Sequence, residues 1–358
     1  MASSTHVRSL LAVCILRNSS VTFSRLPQCK RCSSHAAQDK VKPPGILKRY
    51  LIDKVIDMVN KSTTQLEKAY PTVFQIYRTF KTGLSSFVRD SREYYQVITG
   101  LWSGRSLTEL SRRQLEVLRQ VPRDFLKVIP VLVLALVPGG SVAIPLAYVF
   151  PRSFLSYHFW TDHQRQTFWK HDLKHRLQHL RPILDHMQLL SRHIEDCQLE
   201  EKILQITKKV QLSVNPSYTE VLGVKPLFES YPYNLDRISI AYVRHLAKCM
   251  NMPLRRSRLK ADALLLHYTD LAMLREGINN LSDFELEQAC YWRGLNPFGL
   301  QRDEQVIYLQ HWTTVSKILE ENSISLLLHL PVMFGFCQPS NRELFGGRHH
   351  WWRHRSSF

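Results

Sequence analysis

From Val128 to Phe150 the chain reads VIPVLVLALVPGGSVAIPLAYVF, 23 residues without a charge. No other stretch limits the possible folds so strongly. As a helix rising 1.5 Å per residue it would be about 34 Å long, enough for a hydrocarbon layer of about 30 Å. Thirteen of the 23 residues are Val, Ile, Leu or Phe, each worth about −0.3 to −0.6 kcal/mol on insertion scales. Pro130, Pro138, Pro145 and Gly139–Gly140 weaken a helix, but membrane helices tolerate such breakers when the freed backbone groups find partners. The alternative is a buried helix of a water-soluble core. A soluble helix of this length normally shows a polar stripe, and none is visible here. The expectation is one transmembrane helix over 128–150.

Charge is distributed unevenly around this segment. The chain has 358 residues, with 48 Lys plus Arg against 30 Asp plus Glu, a net +18. Such an excess suits an anionic partner: phospholipid headgroups, ribosomal RNA or other nucleic acid. Residues 1–38 carry five basic residues and no acid, residues 39–127 carry 17 against 9, and residues 151–358 carry 26 against 21. The first 38 residues are rich in serine, and Val7, Leu10, Leu11, Cys14 and Ile15 line one face of a short helix. That composition predicts a mitochondrial transit peptide. A secretory signal is the rival, because Leu10–Leu16 is an apolar run after Arg8. Glycosylation of the Asn60-Lys61-Ser62 sequon would favour that rival.

Seven cysteines at irregular spacing predict no disulfide framework. Cys29-x-x-Cys32 reads as an incidental pair, and Cys197, Cys249 and Cys290 as small apolar residues within helical patterns. After Pro43-Pro44-Gly45 a helical pattern runs over 46–70, and a second follows Pro71 to about Tyr95. Ser106-x-x-Glu109 has the form of a capping box opening a third helix toward the apolar segment. Beyond that segment, helices are expected near 161–180, 182–212, 234–250, 254–276, 282–293, 302–319 and 323–334. Alternating strand patterns are missing, so the class is all-α. The domain boundaries expected are a transit peptide over 1–38, a helical pre-membrane segment over 39–127, the transmembrane helix over 128–150, a helical domain over 151–335 and a basic-aromatic tail over 336–358. That tail, with RHHWWRHR near its end, reads as an extension beyond the packed domain.

Leu281–Leu295 is the most readable piece of the helical domain. Ser282 and Glu285 form a capping-box pair, Leu286, Ala289 and Cys290 recur at helical spacing, and Gly294 stands where a left-handed C-cap ends the helix. A further helix follows, acidic at Asp303 and Glu304 in its first turn, which complements the helix dipole. By themselves these features describe a helical hairpin and no chemistry. Glu285-Leu286, Ala289-Cys290, Arg293-Gly294-Leu295, Leu309, Trp312 and Ser325-Leu326-Leu327-Leu328 nonetheless resemble the signature of the leucine-zipper/EF-hand transmembrane (LETM) family. Upstream, Lys225-Pro226-Leu227-Phe228, Leu254–Leu259 and Glu276-Gly277-Ile278 follow the family's order. Around the apolar segment, Arg123-Asp124, Pro130, Pro138, Pro145 and Val149-Phe150-Pro151 repeat its proline-spaced pattern. The resemblance covers about residues 112–335, and by length the chain is similar to the family's short members.

The resemblance implies an inner mitochondrial membrane protein with a matrix-facing helical domain, ribosome-binding-like and similar to a 14-3-3 fold. It also ties the chain to cation/proton exchange, inner-membrane morphology, and ribosome association with respiratory-chain assembly. Two departures matter. Where the family's membrane segment carries a glutamate, this chain has Ser141, and serine cannot exchange a proton near neutral pH. No EF-hand loop and no long heptad region follow the domain.

Arg255, Arg256, Arg258 and Lys260 place four cations within six residues, either as a solvated face or as contacts to ribosomal RNA or anionic lipid. His171, His175 and His179 fall on one helix face and read as a surface stripe, since no HExxH pattern or ordered carboxylate accompanies them. No glycine-rich phosphate loop, G-x-S-x-G or Cys/His nucleophile pattern is present, so no enzyme and no cofactor are expected. Neither DNA nor a small-molecule substrate is expected among the partners. The functional expectation is a single-pass inner-membrane protein whose matrix domain docks ribosomes or respiratory-chain assembly proteins. The alternatives are a cation/proton exchanger or its auxiliary subunit, and an outer-membrane anchored adaptor. Five cations in the 20 residues before the span against three in the 20 after it would weakly place the N-terminal side in the matrix; the resemblance implies the reverse.

Overall fold

The computed structural model of the chain describes residues 71–136, Ala147 and 149–345. All regular elements among them are helical, as the pattern predicts. The expected presequence, the sequon, the Cys29/Cys32 pair, the helix over 46–70, Pro138, Ser141, Pro145 and the run at 348–355 lie outside the described residues, and so do residues 137–146 and 148 of the expected span.

Two long helices precede the domain, α1 (Pro71–Trp102) and α2 (Arg112–Leu136). Contacts of Arg113 with Asp90 and of Phe125 with Phe87 set them antiparallel. α1 runs seven residues past the expected end at Tyr95, because Val97 is buried in the main core and Ile98 and Leu101 pack against it. The Ser106 capping box does not open α2. Ser106 instead caps a short 3₁₀ turn, Leu107–Glu109. The helix begins behind a reciprocal pair in which the Ser111 amide donates to Gln114 and the Gln114 amide donates to Ser111. Both sites have the same S-x-x-E/Q form; what separates them is that Leu107 and Leu110 are buried, with extended backbone at Leu110. α2 then continues through Pro122 and Pro130, held by Val121 and Val128, which are buried against its neighbours.

After the short helix α3 (Pro151–Phe154) come α4 (Asp162–Leu177), α5 (Leu180–Ser191) and α6 (Cys197–Gln211). The single helix expected over 182–212 is therefore two. Asp196 accepts hydrogen bonds from the amides of Gln198 and Leu199 and so starts a new helix. The short helices α7 (Tyr218–Gly223) and α8 (Pro226–Glu229) lead to α9 (Ile240–Cys249) and α10 (Arg256–Glu276). α10 is the axis of the domain: it is apolar and buried around most of its circumference and packs on α2 and on the later helices α12 (Arg302–Ile318) and α13 (Ile324–Leu330). α11 (Asp283–Trp292) pairs with α12, and a π turn over Pro331–Gly335 leads to α14 (Pro339–Glu343).

The main apolar core joins the α1 end, α2 and the helices α4 to α13. A second, smaller cluster of Phe87, Val128, Val131, Ala147, Leu155 and Phe159 sits where the apolar segment meets α1. The expected tail begins later than position 336. Phe336, Cys337, Ser340 and Asn341 are buried, and Asn341 accepts from the Asn296 amide and donates to the carbonyls of Gly294 and Gly335. These local hydrogen bonds tie α14 into the domain.

Candidate functional site

The family-motif residues build the centre of the domain. Ser282 and Glu285 form the expected capping box. At the other end of α11, Gly294 has φ +82, the Leu295 amide donates to the Cys290 carbonyl and the Gly294 amide to that of Tyr291. This is a Schellman cap, which a glycine makes without strain. The cap turns Arg293 inward until it is fully buried. Its Nε donates to Asp270 Oδ1 at 2.9 Å and Nη2 also donates to Asp270, while Nη1 donates to the Ala289 carbonyl at 2.7 Å. Trp312 Nε1 donates to the other Asp270 oxygen at 3.0 Å, and Tyr308 Oη donates to the Arg293 carbonyl. Leu286, Ala289, Cys290 and Leu309 are buried around this network. Burial pushes the Cys290 thiol up to about 12, so it behaves as the apolar residue expected.

The four cations of the 255–260 run have different surroundings. Arg255 is exposed ahead of α10. Arg256 reaches back to the carbonyls of Leu235, Asp236 and Ile238, and Lys260 pairs with Glu321 at 3.2 Å. Arg258 is half-buried. Of the membrane positions, Pro130 lies within α2. His171 and His175 lie together, their rings tilted with centroids 4.5 Å apart, whereas His179 turns away to meet His245, Nδ1 to Nδ1 at 3.0 Å.

A cleft that the sequence did not reveal lies between α2 and the domain. It encloses about 380 Å³ and is lined by Arg119, Arg123, Lys127, Arg176, Trp160 and Trp292, among others. Arg119 is 6% exposed, its guanidinium lies 5.1 Å from the Trp292 ring centroid, and its Nε and Nη1 have no hydrogen-bond partner. Burial holds Arg119 down to about 9, and the charges of Arg123, Arg176 and Arg293 act in the same direction against Asp262. It therefore stays cationic near neutral pH. Arg123 donates to Asp262 at 2.5 Å, and Arg176, 5% exposed, donates to the carbonyls of Cys249, Tyr291 and Trp292. One signal was legible: Arg119, Arg123 and Lys127 stand four residues apart along a helix just before the apolar segment.

Beside the cleft, α1, α2 and the turn Tyr157–Phe159 enclose a polar cluster. A Cβ on Gly83 would lie 2.6 Å from the His158 carbonyl, so glycine lets the turn approach α1. His158 Nε2 lies 3.0 Å from Asp90 and its Nδ1 lies 4.0 Å from Asp124. Burial pushes Asp90 up, but the His158 hydrogen bond and the Arg113 charge outweigh it and leave the carboxyl below its usual range. At Asp124 burial outweighs the charges of His158 and Lys127 and the Gln120 hydrogen bond and raises the carboxyl to about 7. Among the described residues no group of three or more His, Cys, Asp or Glu is arranged to hold a metal ion.

The sequence profile of the family described as "LETM1-like, RBD" matches residues 110–333, which take in both the Arg293 network and the cleft. The chain is 28% identical to the Homo sapiens LETM1 domain-containing protein 1 over 297 residues, 80% of this chain and 82% of that protein. It is 30% identical to the Xenopus tropicalis protein of the same name over 278 residues, 75% of this chain and 79% of that one. A Drosophila melanogaster protein named mitochondrial proton/calcium exchanger protein is 27% identical over 227 residues, 60% of this chain and 22% of its own length. No solved structure matches the chain. With the profile matching residues 110–333, more than half of the chain, and relatives aligned across most of both chains, the chain belongs to the LETM family.

Proposed function

We propose that this chain is a non-enzymatic protein of the mitochondrial inner membrane. Its apolar segment over 128–150 anchors it, with both ends of the segment on the same membrane face because α2 before it shares one core with the helices after it, and its helical domain docks ribosomes or protein partners in the matrix. The observation that carries the anchoring is apolar surface at both ends of that segment. Leu126, Ile129 and Val133 on one face of α2, with Val149 and Phe150 beyond it, are between 45% and 65% exposed, while Val128 and Val131 are buried. Contiguous apolar surface of this kind marks a protein or membrane contact. No helix among the described residues is long and apolar enough to cross a membrane, and residues 137–146, which complete the proposed anchor, are not among them. The acid-free, Arg- and Ser-rich N-terminus and the mitochondrial name of the Drosophila relative support the compartment. Docking is supported by the family and by the motif residues, which are taken up by the core and leave the domain's surface as its working part.

The test is alkaline carbonate extraction of mitochondria followed by protease treatment before and after osmotic rupture of the outer membrane. The chain should stay in the pellet and its C-terminal domain should stay protected in both states. Release by carbonate overturns the anchor, and digestion in intact mitochondria favours an outer-membrane adaptor. Co-sedimentation with mitochondrial ribosomes should appear at low salt and fade as salt rises; none at low salt removes ribosomes from the reading. A second reading, cation/proton exchange, is favoured by the name of the Drosophila relative. Flux through liposomes holding the purified chain, increased by Ser141→Glu, would establish it over the first.

A further inference from the structure

In the cleft between α2 and the domain four cations, Arg119, Arg123, Lys127 and Arg176, line the wall with two carboxylates, Asp124 and Asp172, and Asp172 is bound to Arg152. Arg119 has two buried nitrogens without a partner. Arg176 is hydrogen-bonded, but its acceptors are the uncharged carbonyls of Cys249, Tyr291 and Trp292. The carboxylate acting on Arg119 is Asp262, already bound to Arg123. Asp124 is half-neutralised near pH 7 because burial raises it. A buried cation without a counter-charge is costly, and proteins pair such charges or place a ligand against them. Here two such guanidinium groups line one cavity of about 380 Å³, a size within the roughly 300–1,000 Å³ of ligand clefts.

We propose that this cleft is a phosphate-binding site, with the phosphate of a free ion or an ester seated against the free edge of Arg119 and the charge of Arg176. The Arg119 guanidinium lies over the Trp292 ring, and its N–H groups, which make no hydrogen bond within the protein, can donate to phosphate oxygens. Arg123 and Lys127 extend the positive charge along α2. The cavity shares Lys127, Trp160 and Arg176 with an adjoining cleft of about 790 Å³ that also carries Arg152, His175 and Lys248. Lys127 and Arg152 flank the apolar segment on its two sides. If that segment lies in lipid, as proposed above, the opening stands at headgroup level and an anionic phospholipid can supply the phosphate. The lipid source rests on that reading; phosphate binding itself does not.

The experiment uses the full chain in detergent, with inorganic phosphate as probe and chloride at matched ionic strength as control. Equilibrium dialysis of labelled phosphate should show saturable binding to the wild-type chain. Arg119→Met should weaken it about tenfold or more. The same variant should melt no lower than wild type without phosphate, because it removes a buried unpaired charge, and should lose the phosphate-induced rise in melting temperature. Displacement of labelled phosphate by phosphatidylglycerol but not by phosphatidylcholine, both in mixed micelles, assigns the lipid source. Displacement by neither assigns a soluble phosphate. Absence of wild-type binding above the chloride control overturns the site, and so does a lower melting temperature of Arg119→Met with phosphate binding unchanged. A chain that binds phosphate yet is released by carbonate separates the two proposals.

Discussion

Arg293 and Arg119 are both buried guanidinium groups in contact with the α10–α12 domain, but their surroundings differ. Around Arg293 the donors and acceptors close on each other: Asp270 takes two hydrogen bonds from the guanidinium and one from Trp312, and the Ala289 carbonyl takes the remaining nitrogen. Around Arg119 an aromatic face is present, but Nε and Nη1 find no acceptor, and Asp262, the carboxylate that acts on it, is bound to Arg123. A complete network makes a domain rigid and specific, whereas an incomplete one in a cavity has capacity left for a ligand. The residues by which the family is recognised therefore maintain the fold, and the unmatched charge lies elsewhere, in the cleft against α2.

The largest effect should come from breaking the complete network. Arg293→Ala leaves Asp270 buried without its cation and should cost about 3–5 kcal/mol, read from urea unfolding of the full chain in detergent. A loss below about 1 kcal/mol would erase the contrast with Arg119. Next is Asp124→Asn. In the folded chain Asp124 keeps its proton up to about pH 7, whereas unfolded it releases the proton near 4. Between these values the folded state holds the extra proton, so stability falls as pH rises, and above 7 the burial of an ionised carboxylate counts in full. Asp124→Asn should thus stabilise the chain by about 1–4 kcal/mol above pH 7 and by nothing below pH 4. Thermal melts across that range check it, and a benefit independent of pH would contradict the assignment. Gly294→Ala forces a left-handed residue and brings a Cβ within 3.3 Å of Pro331; a loss of about 1–2 kcal/mol is expected from the same unfolding curves. The smallest effect belongs to Lys260→Ala. Its partner Glu321 and Lys260 itself are both partly exposed, so the loss should stay within about 1 kcal/mol. A larger one would mean that the 255–260 run does more for the fold than its geometry suggests.

Much of the helical hairpin was legible in the chain. The Ser282–Glu285 box, the Gly294 cap and the apolar spacing of Leu286, Ala289 and Cys290 are local signals, and the structure carries each of them as read. Where two local signals competed, only burial chose between them. Ser106 and Ser111 offer the same capping pattern, and the helix opens at the second because Leu107 and Leu110 go into the core. Asp196 divided one expected helix into two for a related reason: a side chain that binds its own following amides competes with helix continuation. The motif arginine was singled out from the sequence, but its partner Asp270, 23 residues earlier, was not, because nothing in one dimension records that α10 and the end of α11 meet.

Local order and chemical class were therefore present in the sequence alone: a helical chain, punctuated by caps, with one long uncharged segment and a basic approach to it. These are set by neighbours within a turn or two, where backbone propensity and side-chain spacing act directly. Which charges are answered and which are left open was decided only by the tertiary structure. Arg293 and Arg119 read alike along the chain, and their difference arises from helices brought together across long separations in a medium of low dielectric, where a carboxylate within hydrogen-bonding distance determines whether a cation is satisfied.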